Sequence, residues 1–211
     1  MNARQLPSMG ALLMKRDKNM NLPNKLTLMR IILVPFFVAA LLIPFPLHNL
    51  TALIIFAAAS ITDLLDGKIA RKHNLVTDFG KFADPLADKI LVLAALLCFV
   101  QNGLCDCVAV ILVLLREFSV TSVRLIAASK GKVIAANIWG KVKTVTQMVA
   151  VIGIIALQIL ADMRGFGLKL PDNFDGIIYI INETLIWIST FFAVLSGVIY
   201  LKQNSEFISD I

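Results

Sequence analysis

Charged side chains are scarce in this sequence, at 16% of 211 residues, where an ordinary soluble domain carries about a quarter. Cysteine is scarce as well. Cys98, Cys105 and Cys107 are the three in the chain, and their spacing fits neither a metal knuckle nor a disulfide framework. A structural or incidental role is expected for Cys105 and Cys107, which share a short connection. Two histidines, His48 and His73, fall in expected connections and carry no assigned role. Near the N-terminus there is no apolar run with a small-residue cleavage site, so a removed signal peptide is not expected. Internal repeats and low-complexity tracts are missing too.

What the chain has in excess is apolar surface. Hydrophobic residues make up 58% of it, with a mean hydropathy of +0.83, and they fall in long runs. Six segments reach the ~20 residues that a helix needs to cross a bilayer: roughly 25–45, 50–70, 83–102, 106–129, 139–161 and 177–201. Isolated apolar runs of that length can satisfy their backbone in lipid only as helices. The expected fold is therefore all-α, a polytopic membrane protein with six transmembrane helices. Residues 1–20 form a basic arm carrying Lys15, Arg16 and Lys18, suited to an anionic membrane surface. Residues 21–211 form the membrane domain.

The net charge of +6 is compatible with nucleic acid, but the basic residues cluster between apolar runs, so membrane lipids and no nucleic acid are the expected partners. The 45–50 and 101–107 connections contain no Lys or Arg, and 162–176 has only Arg164 and Lys169. The N-terminal region and the 67–82 and 124–143 stretches hold most of the rest. Positive charge stays inside, so both termini and those two stretches are expected to be cytoplasmic. Trp139 and Trp187 are candidate interface anchors.

Four acids stand where the second span ends and the third begins. Asp63 and Asp66 are three residues apart, and Asp84 and Asp88 are four apart, so each pair shares a helix face. A short turn between antiparallel helices would bring all four together. Ionisable groups at membrane depth are costly and usually functional. Four carboxylates cannot all ionise side by side without counter-charge. Lys68, Arg71 and Lys81 could supply part of it, but a hard divalent cation, Mg²⁺ or Mn²⁺, suits oxygen-only ligands better. Two such ions can clamp a phosphate undergoing in-line displacement. Gly67 allows close approach to the backbone, and Arg71 offers a fork for phosphate oxygens. Asp78 is expected to be a solvated turn residue, and Asp106 opens the fourth span on the far side.

The pattern Asp63-x2-Asp66-Gly67-x2-Ala70-Arg71-x8-Gly80-x3-Asp84-x3-Asp88 is similar to the signature of the CDP-alcohol phosphatidyltransferases, with all eight fixed positions present. The resemblance implies six transmembrane helices, a homodimer and two divalent metals at a cytoplasm-facing cavity. It implies metal ligation by Asp63, Asp66, Asp84 and Asp88. Contacts to the CDP-lipid are implied at Asp63, Asp66, Gly67, Ala70, Arg71 and Thr77. Asp88 looks like the family's proposed general base.

Two further regions bear on the acceptor. Residues 21–35 include Pro23, Asn24, Thr27 and Arg30. Pro23 suits a helix start, Asn24 could cap it, and Arg30 could snorkel to the interface. The same run resembles the N-terminal segment of bacterial phosphatidylglycerophosphate synthases, which places Thr27 and Arg30 at the CDP-lipid site. In the fourth span Arg116 lies near mid-helix with Glu117 beside it, and Arg124 follows eight residues on. Two helical turns cover about seven residues, so the two arginines share a face. Lys141 and Lys143 open the fifth span. Arg116, Arg124 and Lys141 are expected to bind the dianionic phosphate of an acceptor such as glycerol 3-phosphate, and Lys143 to be an anchor. The wording from Arg116 to Gln147 also resembles those synthases. The expected activity is transfer of a phosphatidyl group from CDP-diacylglycerol to glycerol 3-phosphate in a bacterial plasma membrane. Phosphatidylglycerol or inositol phosphate are alternative acceptors. A cation transporter is the alternative from another class, but it should place its acids nearer mid-membrane and often shows repeats.

Overall fold

The computed structural model describes the backbone of residues 22–73, 78–132, 134 and 137–207, and the side chains of 25–62, 87, 89–132, 134 and 137–206. The arm, Thr77 and the side chains of Asp63, Asp66, Gly67, Ala70, Arg71, Asp84 and Asp88 lie outside the described residues.

Six α-helices follow one another among the described residues: α1 (Leu22–Leu42), α2 (His48–His73), α3 (Asp78–Gln101), α4 (Cys107–Ser129), α5 (Ile138–Asp162) and α6 (Phe174–Gln203). A 3-10 turn, Met163–Phe166, extends α5. The helix ends follow local chemistry. Asp106 caps α4, its Oδ1 accepting from Val108 N at 2.9 Å. Asn137 caps α5 by accepting from Gly140 N at 2.9 Å. Gly131, with φ of +74°, closes α4 in the left-handed conformation that a side chain resists.

Among the described residues, three stretches are long and apolar enough to cross a membrane: Lys25–Leu42, Ile138–Phe166 and Phe174–Gln203. Shorter apolar helical stretches are His48–Thr62 and Lys89–Gln101. α4 spans 23 residues, but Arg116, Glu117 and Arg124 interrupt its apolar run. α2 and α3 extend further toward their shared connection than apolarity suggests. Their helical backbone continues through Asp63 and Asp66 and begins already at Asp78. His48 and His73 are thus the first and last residues of α2 rather than loop residues. Asp78 likewise opens α3. α1 begins at Leu22, so Asn24 lies inside the helix instead of capping it. Trp187 falls near the middle of the 30-residue α6, not at an end.

α1 packs against α2 and α3, α5 against α6 and α2, and α4 against α6. The core is built from Phe37, Phe56, Phe99, Leu96, Ile154 and Ile186. Alanines at 40, 52, 59, 95 and 109 are buried between them and let the helices approach closely. At the end away from the α2–α3 connection, polar bonds join the helices. His48 Nδ1 donates to Ala40 O at 3.1 Å, Asn49 Nδ2 to Asp162 Oδ2 at 2.9 Å, and Asn102 Nδ2 to Leu41 O at 3.0 Å.

Candidate active site

Three helices enclose a cavity of about 430 Å³. α3 contributes Lys89, α4 contributes Arg116, Glu117, Thr121 and Arg124, and α5 contributes Lys141, Lys143 and Gln147. Arg116, Arg124 and Lys141, singled out on sequence grounds, therefore come together in one wall. Lys89 brings α3 into it, and Lys89 is the residue that follows Asp88 in the chain.

The side chains are held firmly. Glu117 Oε1 accepts from Arg116 Nη1 at 2.8 Å and pairs with Lys143 Nζ at 2.6 Å. All three are largely removed from solvent, with 7–11% of each side chain exposed. Such burial makes the pairing obligatory, because an uncompensated charge there is strongly unfavourable. Lys143 is accordingly a buried partner of Glu117, not the solvated anchor expected from its position at the head of α5. Thr121 Oγ1 donates to Glu117 O at 2.7 Å and accepts from Lys89 Nζ. Arg116 Nη2 donates to Ser196 Oγ at 2.8 Å. Arg124 Nε donates to Tyr200 Oη at 3.2 Å, and its guanidinium carbon lies 5.4 Å from the Tyr200 ring centre.

Five basic side chains and one carboxylate line this space. That imbalance favours an anion. Two buried donors in its wall, Arg116 Nε and Gln147 Nε2, make no hydrogen bond within the described protein. Buried donors are rarely left unsatisfied, so both point to a ligand or water oxygen.

Arg30 and Thr27 stand one turn apart on α1, both fully buried. They belong to the stripe with Val34, Phe37 and Leu41 that faces the bundle. Arg30 at 1% exposure does not snorkel to the interface. A charge so enclosed sits inside the protein, as a site residue would.

The four aspartates are placed by backbone only. Asp63 and Asp66 lie in the second half of α2, and Asp84 and Asp88 in the first half of α3. Their donor set is oxygen alone, which fits a hard divalent cation. No metal-binding cluster of His, Cys, Asp or Glu occurs among the described residues, which do not include these four side chains.

Sequence reasoning left Glu117 and Lys89 without a role and missed Ser196, Gly197 and Tyr200. Glu117 did carry a signal, since an acid beside an arginine in an apolar run needs a second cation. The α6 residues are uncharged and small or aromatic, which is unremarkable in a span.

A sequence profile described as CDP-alcohol phosphatidyltransferase matches residues 20–195. The chain is 42% identical over 198 residues to the CDP-diacylglycerol–glycerol-3-phosphate 3-phosphatidyltransferase of Bacillus subtilis, covering 88% of this chain and 96% of that one. It is 38% identical over 196 residues to the enzyme of the same name from Rickettsia felis, covering 92% and 99%. The Haemophilus influenzae enzyme of that name is 40% identical over 139 residues, covering 64% and 75%. A match over most of the chain, carried by relatives of nearly the same length, makes this protein a member of the CDP-alcohol phosphatidyltransferase family.

Proposed function

We propose that this chain transfers the phosphatidyl group of CDP-diacylglycerol to the primary hydroxyl of glycerol 3-phosphate, giving phosphatidylglycerol phosphate and CMP in phospholipid biosynthesis. The family membership supports the donor chemistry. The names of relatives that match about nine-tenths of the chain support the acceptor. The observation that carries the acceptor assignment is the cation-rich cavity between α3, α4 and α5, whose wall includes the residue after Asp88. Arg116, Arg124 and Lys141 bind the acceptor phosphate there, where charge-assisted and bidentate contacts favour a dianion.

The family is generally metal-dependent. Asp63, Asp66, Asp84 and Asp88 would hold two Mg²⁺ or Mn²⁺ ions, which when bound would supply electrophilic activation and counter-charge for the diphosphate. Asp63, Asp66, Gly67, Ala70, Arg71 and Thr77 bind the CDP moiety, and Thr27 and Arg30 border it from α1. Asp88 accepts the proton of the acceptor hydroxyl as that oxygen attacks the β-phosphorus. The bond from the β-phosphorus to the CMP oxygen breaks, and CMP leaves with the electron pair.

All six helices cross the plasma membrane of a bacterium, with both termini and the active site cytoplasmic, and the protein is a homodimer. Even α1, with 21 residues, is about 30 Å long, the thickness of a hydrocarbon core. The basic arm at 1–20 lies on the inner leaflet, and 21–211 forms the catalytic domain.

The test is CMP release from CDP-diacylglycerol by purified protein, with and without divalent metal, across glycerol 3-phosphate, phosphatidylglycerol, inositol phosphate and serine. Release that needs both metal and glycerol 3-phosphate is expected. Release with phosphatidylglycerol alone would reassign the acceptor. Cation flux without CMP release would make the protein a transporter.

A further inference from the structure

We propose that α6 is the positioning element of the acceptor site. Ser196, Gly197 and Tyr200 set the separation of the two guanidinium groups, although none of the three lines the cavity. This rests on the acceptor reading above.

Each contact is specific. Ser196 Oγ accepts from Arg116 Nη2 at 2.8 Å while Glu117 takes Nη1, so the guanidinium is fixed from two sides and its Nε is left over. Gly197 makes room for the stem. A Cβ at this position would come within 2.7 Å of Arg116 Cγ, closer than side-chain atoms approach. Arg116 therefore lies against bare α6 backbone. Tyr200 is 2% exposed, and it holds Arg124 both through Oη and through the face of its ring.

The spacing on the two helices differs. Arg116 and Arg124 are eight residues apart on α4, about 12 Å along the axis. Their partners Ser196 and Tyr200 are four apart on α6, about 6 Å. Anchoring to α6 thus ties both guanidinium groups to residues that share one face of a single helix. Without it, two long side chains with several free rotors each would sample many separations, and the ordering cost would fall on acceptor binding. With it, the pair is set before the phosphate arrives, so the effect belongs to acceptor affinity rather than to the chemical step.

The experiment uses the full-length protein in nanodiscs, with each substrate varied separately. Ser196→Ala and Tyr200→Phe should each raise KM for glycerol 3-phosphate roughly ten-fold, the size of one lost hydrogen bond to a charged group, and Gly197→Ala should raise it by displacing the Arg116 stem. KM for CDP-diacylglycerol and kcat should hold. Ser196→Thr should restore the parent KM. In an Arg116→Gln background Ser196→Ala should add nothing, because it acts through that arginine. Equal rises in both KM values, full additivity with Arg116→Gln, or a lower melting temperature at unchanged KM would overturn the positioning role. Should Gly197→Ala fail to fold, Ser196→Ala and Tyr200→Phe decide. Impaired Arg116→Gln and Arg124→Gln proteins beside normal α6 variants would remove the α6 role alone. Arginine variants with parental KM for glycerol 3-phosphate would remove the acceptor site itself.

Discussion

Glu117 holds two cations with one oxygen, Arg116 at 2.8 Å and Lys143 at 2.6 Å, in a place almost closed to solvent. Glu117→Gln keeps the shape and removes the charge, leaving two buried cations facing each other. Breaking a buried pair in this way costs about 3–5 kcal/mol, and thermal melting in detergent should show a clear fall. An unchanged melting curve would mean that water already reaches these groups. The proposed catalytic residues call for different readouts. Asp88→Asn should abolish CMP release while nucleotide binding persists, and Asp66→Asn should weaken metal and nucleotide binding together; calorimetry with CDP separates the two. Normal turnover in either protein would refute the scheme. Arg116 and Arg124 were legible in the sequence because an arginine inside an apolar run is costly unless it faces a cavity or a partner, whereas Lys89 gave no such signal. Lys143 was misjudged because its partner lies 26 positions away in the chain, and sequence position alone gives a lysine at a helix start the character of an anchor.

At the level of elements, the apolar runs located all six helices, yet the ends of α2 and α3 at their shared connection were drawn short. The reason is physical. Hydropathy marks where lipid stops, whereas a helix stops where its backbone loses partners or meets an unfavourable residue. Between Thr62 and Lys89 the residues turn polar, but Leu, Ala, Lys and Arg among them favour a helix whether or not lipid surrounds it, and α2 runs to His73 while α3 starts at Asp78. The far-side ends were better defined, because Asp106 and Gly103 punctuate there. The end of α4 gives a sharp test of this view. Gly131 has φ of +74° and nothing within 4 Å of where a Cβ would sit, so crowding plays no part and any penalty is conformational. Gly131→Ala should lower stability by about 1 kcal/mol. Gly165 also has open space around it, without the positive φ. Gly165→Ala should therefore be neutral or slightly stabilising. Paired melting curves check both, and equal shifts would show that conformation is not the cause at 131.

The molecule as a whole is turned outward in its apolarity. Phe36, Ile54, Phe118, Leu125, Ile180 and Phe191 are exposed on helices whose inner faces carry alanine and buried polar groups. A water-soluble monomer would not tolerate so much exposed apolar surface, so lipid is its solvent. The proposed orientation rests on charge. The basic cavity is lined by α3, α4 and α5 and includes Arg124 and Lys141 near the α4–α5 connection, whereas Cys105 and Cys107 mark the other end of α4, where it follows α3. Cys107 is exposed, while Cys98 and Cys105 are buried. The Cys105 thiol is pushed up to about 12, first by burial and then by the Glu183 and Asp106 carboxylates. Its thiolate is thus suppressed, and it stays protonated and unreactive as pH rises through 8 and 9, reacting only as pH nears that value. A membrane-impermeant maleimide added to intact spheroplasts at pH 7.5 should therefore label Cys107 alone, and Cys107→Ser should abolish the signal. Raising the pH to 9 should speed labelling without adding a second site, and denaturation should then reveal Cys98 and Cys105. In inverted vesicles the same reagent should leave the folded protein unlabelled. Labelling from the inverted side instead would put the acceptor cavity on the outer face, away from cytoplasmic glycerol 3-phosphate, and the proposed reaction would have no access to its second substrate.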